Sequence, residues 1–121
     1  NYRLGIYYLK TMNFDKSINY LSKSYNASKD VTAQRKKESL YLLGILNIQT
    51  KKFSEAISFW TLFMKEYPES DESTARYYRG LSNFFLGNKK EAKEDFLKSK
   101  ELSKDNDLIE KIDGLLGQIE A

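Results

Sequence analysis

The chain has 121 residues, of which 40% are hydrophobic and 14% aromatic, and a formal net charge of +3. That is enough apolar material for one continuous core and too much for a disordered chain. It contains no Cys and no His, which excludes disulfides, thiolate nucleophiles, Ser-His-Asp triads and the common zinc sites. No apolar run approaches the ~18 residues of a membrane span.

The chain opens at Asn1 already in a helical pattern. It is therefore expected to be a piece of a longer protein, whose missing start would have carried any targeting signal. Seven helices are predicted, at about 1–11, 14–28, 33–49, 53–67, 71–86, 89–104 and 107–119. Apolar residues recur at three- and four-residue intervals through Leu40, Leu43 and Asn47, and again through Phe53, Ala56, Ile57, Trp60, Phe63 and Met64. The polar links "TMN", "TKK" and "GNKK" read as tight turns between paired helices, with Gly87-Asn88 suited to a left-handed helix end. Pro68 predicts a stop, because it lacks an amide hydrogen and pushes Tyr67 out of helical geometry. The following "PESDES" offers a Ser or Asp cap for the next helix. The last helix sets Ile109, Ile112, Leu116 and Ile119 against Glu110, Asp113 and Glu120, the pattern of a solvating cap.

Three segments superimpose without a gap: "YRLGIYYLKTMNFDKSINYL" (2–21), "YLLGILNIQTKKFSEAISFW" (41–60) and "YYRGLSNFFLGNKKEAKEDF" (77–96). Each carries Gly in fourth place (Gly5, Gly44, Gly80), a small residue twelve later (Ser17, Ala56, Ala92) and a large apolar one four beyond (Leu21, Trp60, Phe96). The offsets are 39 and 36 residues, and the extra residues of the longer one should extend the start of the third helix by about a turn. Glycine in a helix interior costs ~1 kcal/mol relative to Ala. That cost is reasonable where a partner helix packs too close for a side chain, with the small residue opposite and Trp60 or Phe96 filling the space beneath.

These residues resemble the tetratricopeptide repeat pattern. The middle unit matches through Leu40, Leu43-Gly44, Ala56, Trp60 and Pro68, with Asn47 in place of the usual Tyr. The first keeps Leu4-Gly5, Tyr8 and Phe14 but has Ser17 and Leu21. The third keeps Gly80, Gly87, Ala92 and Phe96 but has Arg79 and Lys104. The resemblance implies an all-α fold, a right-handed superhelix of antiparallel helix pairs. It predicts one domain over 1–121, with repeats at about 1–29, 37–70 and 73–106 and a capping helix at about 107–119. The junction "FMKEYPESDESTARYYRGLSNFFLG" is also similar to repeats of bacterial envelope lipoproteins and periplasmic division factors. It implies a bacterial, periplasmic or outer-membrane setting.

In this family the first helix of each pair lines the inner surface, on the side turned away from its own partner. Here that side carries Tyr2, Ile6 and Leu9, then Tyr41, Ile45 and Ile48, then Tyr77, Leu81 and Phe84, with Gln49 and Phe85 at the edge. Two readings of the stripe stand side by side. It packs between adjacent repeats, above all through Ile6, Ile45 and Leu81; or it forms an apolar groove for a partner helix or extended peptide, anchored by Tyr41, Tyr77 and Phe84. Lys, Asn and Arg, the residues with which some family members clamp acidic chaperone tails, are absent from it. Binding should therefore be apolar and weakly salt-dependent.

Other signals are thin. Residues 1–60 hold ten basic against four acidic residues, and 61–121 hold ten against thirteen. Sixteen of the twenty basic residues are Lys, whereas Arg is the usual reader of phosphates and bases; a nucleic-acid site is disfavoured. Arg35, Lys36 and Lys37 read as a solvated helix start, and Arg76 and Arg79 as partners of acids such as Glu72. Adjacent Glu94 and Asp95 point apart on a helix and make no acid/base couple. The expected function is a non-enzymatic protein-interaction scaffold with no catalytic residue, cofactor or metal. The alternative is a self-association module that pairs one end of the stack with a second copy.

Overall fold

A computed structural model describes residues 3, 5–6, 14–26, 33–69 and 71–120. Among these the architecture is all-helical: α1 (Phe14–Asn26), α2 (Ala33–Gln49), α3 (Phe53–Glu66), α4 (Glu72–Leu86), α5 (Lys89–Leu102) and α6 (Asn106–Glu120). Arg3, Gly5 and Ile6 are also helical, and the rest of the predicted first helix lies outside the described residues. Consecutive helices pack on one another in chain order, as in a solenoid of helix pairs. Relative to the aligned tyrosines Tyr41 and Tyr77, α2 begins three residues earlier than α4. That is the extra turn predicted from the longer offset.

Each helix end has an identifiable cause. The α2–α3 and α4–α5 turns are the same motif. Lys52 N–H donates to Asn47 O at 2.7 Å and Asn88 N–H to Asn83 O at 2.8 Å, while Lys51 and Gly87 N–H donate to Ile48 O and Phe84 O. Both turns need a left-handed residue in the Schellman arrangement. Gly87 supplies it at φ 84°, but the equivalent residue of the earlier turn is Lys51 at φ 63°. Asn88, which also tolerates this geometry, sits at φ −83° and opens α5. Asp71 caps α4, accepting from Thr74 N–H at 3.3 Å and from Thr74 Oγ1 at 2.7 Å.

Pro68 follows the end of α3 as expected. Yet α5 stops in the same register with Lys104 in the proline's place. Ser103 leaves helical geometry there and its hydroxyl accepts the Asp105 N–H at 3.1 Å. A local side-chain turn thus replaces the proline stop.

The core runs through the predicted repeat positions. Leu21, Leu40, Leu43, Ala56, Trp60, Ala92, Phe96 and Ile112 are fully buried. Asn47, standing where the family has Tyr, is also buried and keeps its amide satisfied by donating to Leu43 O at 2.7 Å. The glycines meet a different partner from the one expected. A Cβ on Gly44 would collide with the Trp60 ring. One on Gly80 would lie 2.8 Å from Phe96 Cδ1, and one on Gly5 2.7 Å from Leu21 Cγ. The large residue, not the small one, therefore lies against the glycine. The small residue still matters in the first unit, where Ser17 Oγ donates to Gly5 O at 2.6 Å.

Gly44→Ala should destabilise the fold by about 1–3 kcal/mol, because the buried indole cannot move aside. Gly114→Ala and Gly117→Ala, where a Cβ meets nothing within 4 Å, should each stabilise it by about 0.5–1 kcal/mol. Urea unfolding of the three variants gives the comparison, and a loss at all three positions would contradict it. Lys51→Gly relieves a left-handed non-glycine residue and should raise stability by about 0.5–1 kcal/mol in the same assay.

Candidate partner-binding face

The predicted stripe divides into three groups. Tyr41, Ile45 and Ile48 on α2, and Tyr77, Leu81 and Phe84 on α4, are all half-buried. The first three pack on the cluster of Leu40, Ala56, Trp60, Phe63 and Ala75, the second three on Ala92, Phe96 and Ile112. Gln49 is exposed, and Phe85 retains 56% of its surface. Tyr2 and Leu9 lie outside the described residues, and Ile6 is half-buried.

The stripe was expected to turn away from each helix's own partner, but the tyrosines do not. Tyr41 meets Trp60 edge-on at 5.3 Å and Phe63 at 6.0 Å, both on α3, and Tyr77 lies 6.2 Å from Phe96 on α5. The reason is angular. At ~100° per residue, Tyr41 and Ile48 stand within about 60° of the Gly44 direction, which faces α3. Gln49 and Phe85 stand about 140° from their glycines and are the ones left open. Tyr78, unremarked in the sequence pattern, joins the pairs by stacking on Trp60 at 5.2 Å with 16° between the planes.

Two clefts lie at opposite ends of the stripe. At the turn end, Ile48, Gln49, Lys51, Phe53 and Phe85 line a largely apolar hollow of about 500 Å³. Phe53 and Phe85 stack there at 5.1 Å, bridging the two repeats. At the other end, a narrower cleft of about 240 Å³ is lined by Tyr41, Tyr77 and Tyr78 together with Asp105, Asp107 and Lys111. Its walls come from α2, α4 and the start of α6. The sequence signal for this second cleft was weak, because Asp105 falls in a short polar link and Asp107 and Lys111 among the polar residues of the last helix.

Arg76 and Arg79 belong to a different face. Arg76 Nε meets Glu72 Oε2 at 3.1 Å, the pair expected, but both guanidiniums also converge on Asp95, at 3.1 Å from Arg76 Nη1 and 2.8 Å from Arg79 Nη2 and Nε. Asp95 is buried and Glu94 exposed. The two do point apart, but Asp95 is the anchor of an ionic knot that the sequence reading did not assign to it. Arg79 is held charged by its hydrogen bond to Asp95, which outweighs the opposing effect of burial.

Among the described residues, no group of three or more acidic, His or Cys side chains could hold a metal ion. None of the described helices is long and apolar enough to cross a membrane. Models of the tetratricopeptide repeat match residues 38–70 and 74–106, the second and third units. The chain belongs to the tetratricopeptide repeat family, whose repeats generally mediate protein–protein interaction. No curated protein matches it.

Burial raises the pKa of Tyr41 and of Tyr77 above 10.0, with further contributions from Tyr78 to both and from Asp71 to Tyr41. A raised folded-state pKa means that the unfolded chain loses these protons first. The stability the two tyrosines contribute is therefore intact below pH 10 and is lost as pH rises through their folded values. Tyr41→Phe and Tyr77→Phe should flatten the alkaline fall in urea stability, measured between pH 8 and 11. An unchanged slope in both variants would contradict the assignment.

Proposed function

We propose that the chain is a non-enzymatic scaffold that binds one segment of a partner protein along the stripe, from the tyrosine cleft at one end to the Phe53–Phe85 hollow at the other. One observation carries this reading. Phe85 stays more than half exposed beside a hollow of about 500 Å³, although its stacked partner Phe53 ties it to the preceding repeat. Aromatic rings held rigidly at an open apolar site are the side chains that anchor partners at low entropic cost. The half-buried Tyr41, Ile45, Ile48, Tyr77, Leu81 and Phe84 form the groove floor and serve the core as well. The similarity of the Pro68 junction to envelope repeats is the sole support for a partner in bacterial envelope assembly.

Removing the exposed anchors spares the core. Gln49→Asp with Phe85→Asp should weaken capture of the native partner from a source-organism extract at least tenfold, with the helical melting transition retained. A second variant, Tyr41→Leu with Tyr77→Leu, keeps the apolar volume of the floor and should reduce capture while leaving the fold intact. Undiminished capture by both variants would overturn the groove. Sedimentation of the wild-type chain separates the self-association reading: a concentration-dependent dimer abolished by Phe85→Asp would make a second copy the occupant.

A further inference from the structure

The two ends of the stripe differ in chemistry, and that difference selects what can lie along it. This inference rests on the groove proposed above. In the narrower cleft, three phenol rings come together: Tyr77 and Tyr78 lie 5.3 Å apart with 60° between their planes, and Tyr41 shares the same walls. Aromatic faces of this kind are electron-rich and attract cations. Asp105 and Asp107 stand on the cleft wall, and Asp71 lines the adjoining hollow with Thr74 and Asp105.

Asp71 and Asp105 are occupied with backbone and hydroxyl donors rather than with cations. Asp71 accepts from Thr74, and Asp105 accepts from the Asp107 and Leu108 N–H groups at 2.9 and 3.4 Å. Among the described residues, no Lys or Arg nitrogen lies within ion-pair distance of Asp71, Asp105 or Asp107. The cations lining the cleft and the adjoining hollow are Lys111 and Lys104. Among the residues lining these two hollows, three carboxylates stand against two amines, an excess of negative charge beside three aromatic rings. An anionic group, such as a phosphate or an acidic peptide, would meet that excess unfavourably. The opposite end offers no such field, since its hollow is lined by two Phe, one Ile, one Gln and Lys51.

We infer that the tyrosine cleft takes the cationic side chain, Arg or Lys, of the partner segment, while the Phe53–Phe85 hollow takes a large apolar side chain of the same segment. The occupant is thus a partner protein segment with a basic anchor and an apolar anchor. Tyr41 and Ile48 are seven residues apart on α2, a rise of ~10 Å. The two anchors should therefore fall about three residues apart in an extended segment or seven apart in a helix. A cation over aromatic rings beside carboxylates fixes the direction in which the segment lies, which the apolar floor alone cannot do.

The test selects random 16-residue displayed peptides on the full chain, then titrates a synthetic copy of the most enriched peptide. Enriched peptides should carry Arg or Lys at one of the two stated distances from Phe, Trp, Leu or Met. Asp105→Asn with Asp107→Asn removes two negative charges, keeps at position 105 the side-chain oxygen that accepts the α6 backbone donors, and should weaken that peptide about tenfold. Exchange of the peptide's basic residue for Gln should weaken it as much in wild type and little further in the variant. Peptides rich in Asp or Glu, or binding indifferent to the double variant, would overturn the inference. If such peptides still lost binding to Gln49→Asp with Phe85→Asp, the apolar groove would stand without its cationic end. Peptides indifferent to both variants, or no enrichment at all, would remove both proposals.

Discussion

The contact between a glycine on the first helix of a pair and a large side chain on the second sets the distance at which the two helices cross. With Trp60 lying on Gly44, Phe96 on Gly80 and Leu21 on Gly5, a side chain at the glycine would occupy the space of a ring or of a branched Leu. Helices normally pack 8–10 Å apart depending on the residues at the contact; a bare backbone opposite a large residue lets that residue fill the gap alone. The indole and phenyl groups become the floor of the core, and Tyr41, Phe63 and Tyr78 then assemble around Trp60. The seam between repeats is therefore built outward from the seam within each repeat.

The third unit adds a polar solution to the same problem. Phe96 occupies its glycine contact, but the neighbouring position on α5 is Asp95, buried and bound by two guanidiniums. A buried carboxylate is stable only when paired and hydrogen-bonded, and here Arg76 and Arg79 do both, with Arg79 reaching Thr61 on α3 at 3.2 Å. One turn further along α5, Ser99 Oγ donates to Ser73 O at 2.6 Å while Ser73 Oγ lies 3.0 Å from Ser99 O. The α4–α5 seam is thus fastened by charges and hydroxyls on one side and by Phe96 on the other. The same bonds explain why two of the four arginines are not free to read phosphate: their guanidiniums are already paired with Asp95.

Helix positions, turns and core were legible in the sequence because each depends on local rules. The period of three to four residues, the Gly-Ser/Ala-large spacing and the Pro68 stop all act within one helix pair. The glycine partner was read one step wrong for a physical reason: sequence spacing identifies which residues share a face, but not which of two neighbours on that face projects furthest. Asp95 was missed because a lone acid beside Glu94 looks solvated until α4 places two arginines over it. The tyrosines were placed too far round the helix, since a Tyr three residues before the glycine stands near the contact direction rather than opposite it. Asp105, Asp107 and Lys111 could not be joined to Tyr41 from the sequence, because more than sixty residues separate them and only the stacking of α6 on the third unit brings them together.

That stacking explains why an open surface survives in so compact a stack. α2 and α4 each have their tyrosine side covered by their own second helix and by the helix after that. Residues farther round, at Gln49 and Phe85, would be covered only by a neighbouring first helix, and there the Phe53–Phe85 stack joins the start of α3 to the end of α4 instead. α6 lies where another first helix would pack, burying Ile112 against Phe96 but presenting charged residues to Tyr41 and Tyr77 in place of another apolar stripe. The core requirement is met by the apolar side of α6, leaving its polar side free to vary. Chemistry that distinguishes one ligand from another can therefore enter at the helix that closes the third unit without disturbing the contacts that hold the repeats together.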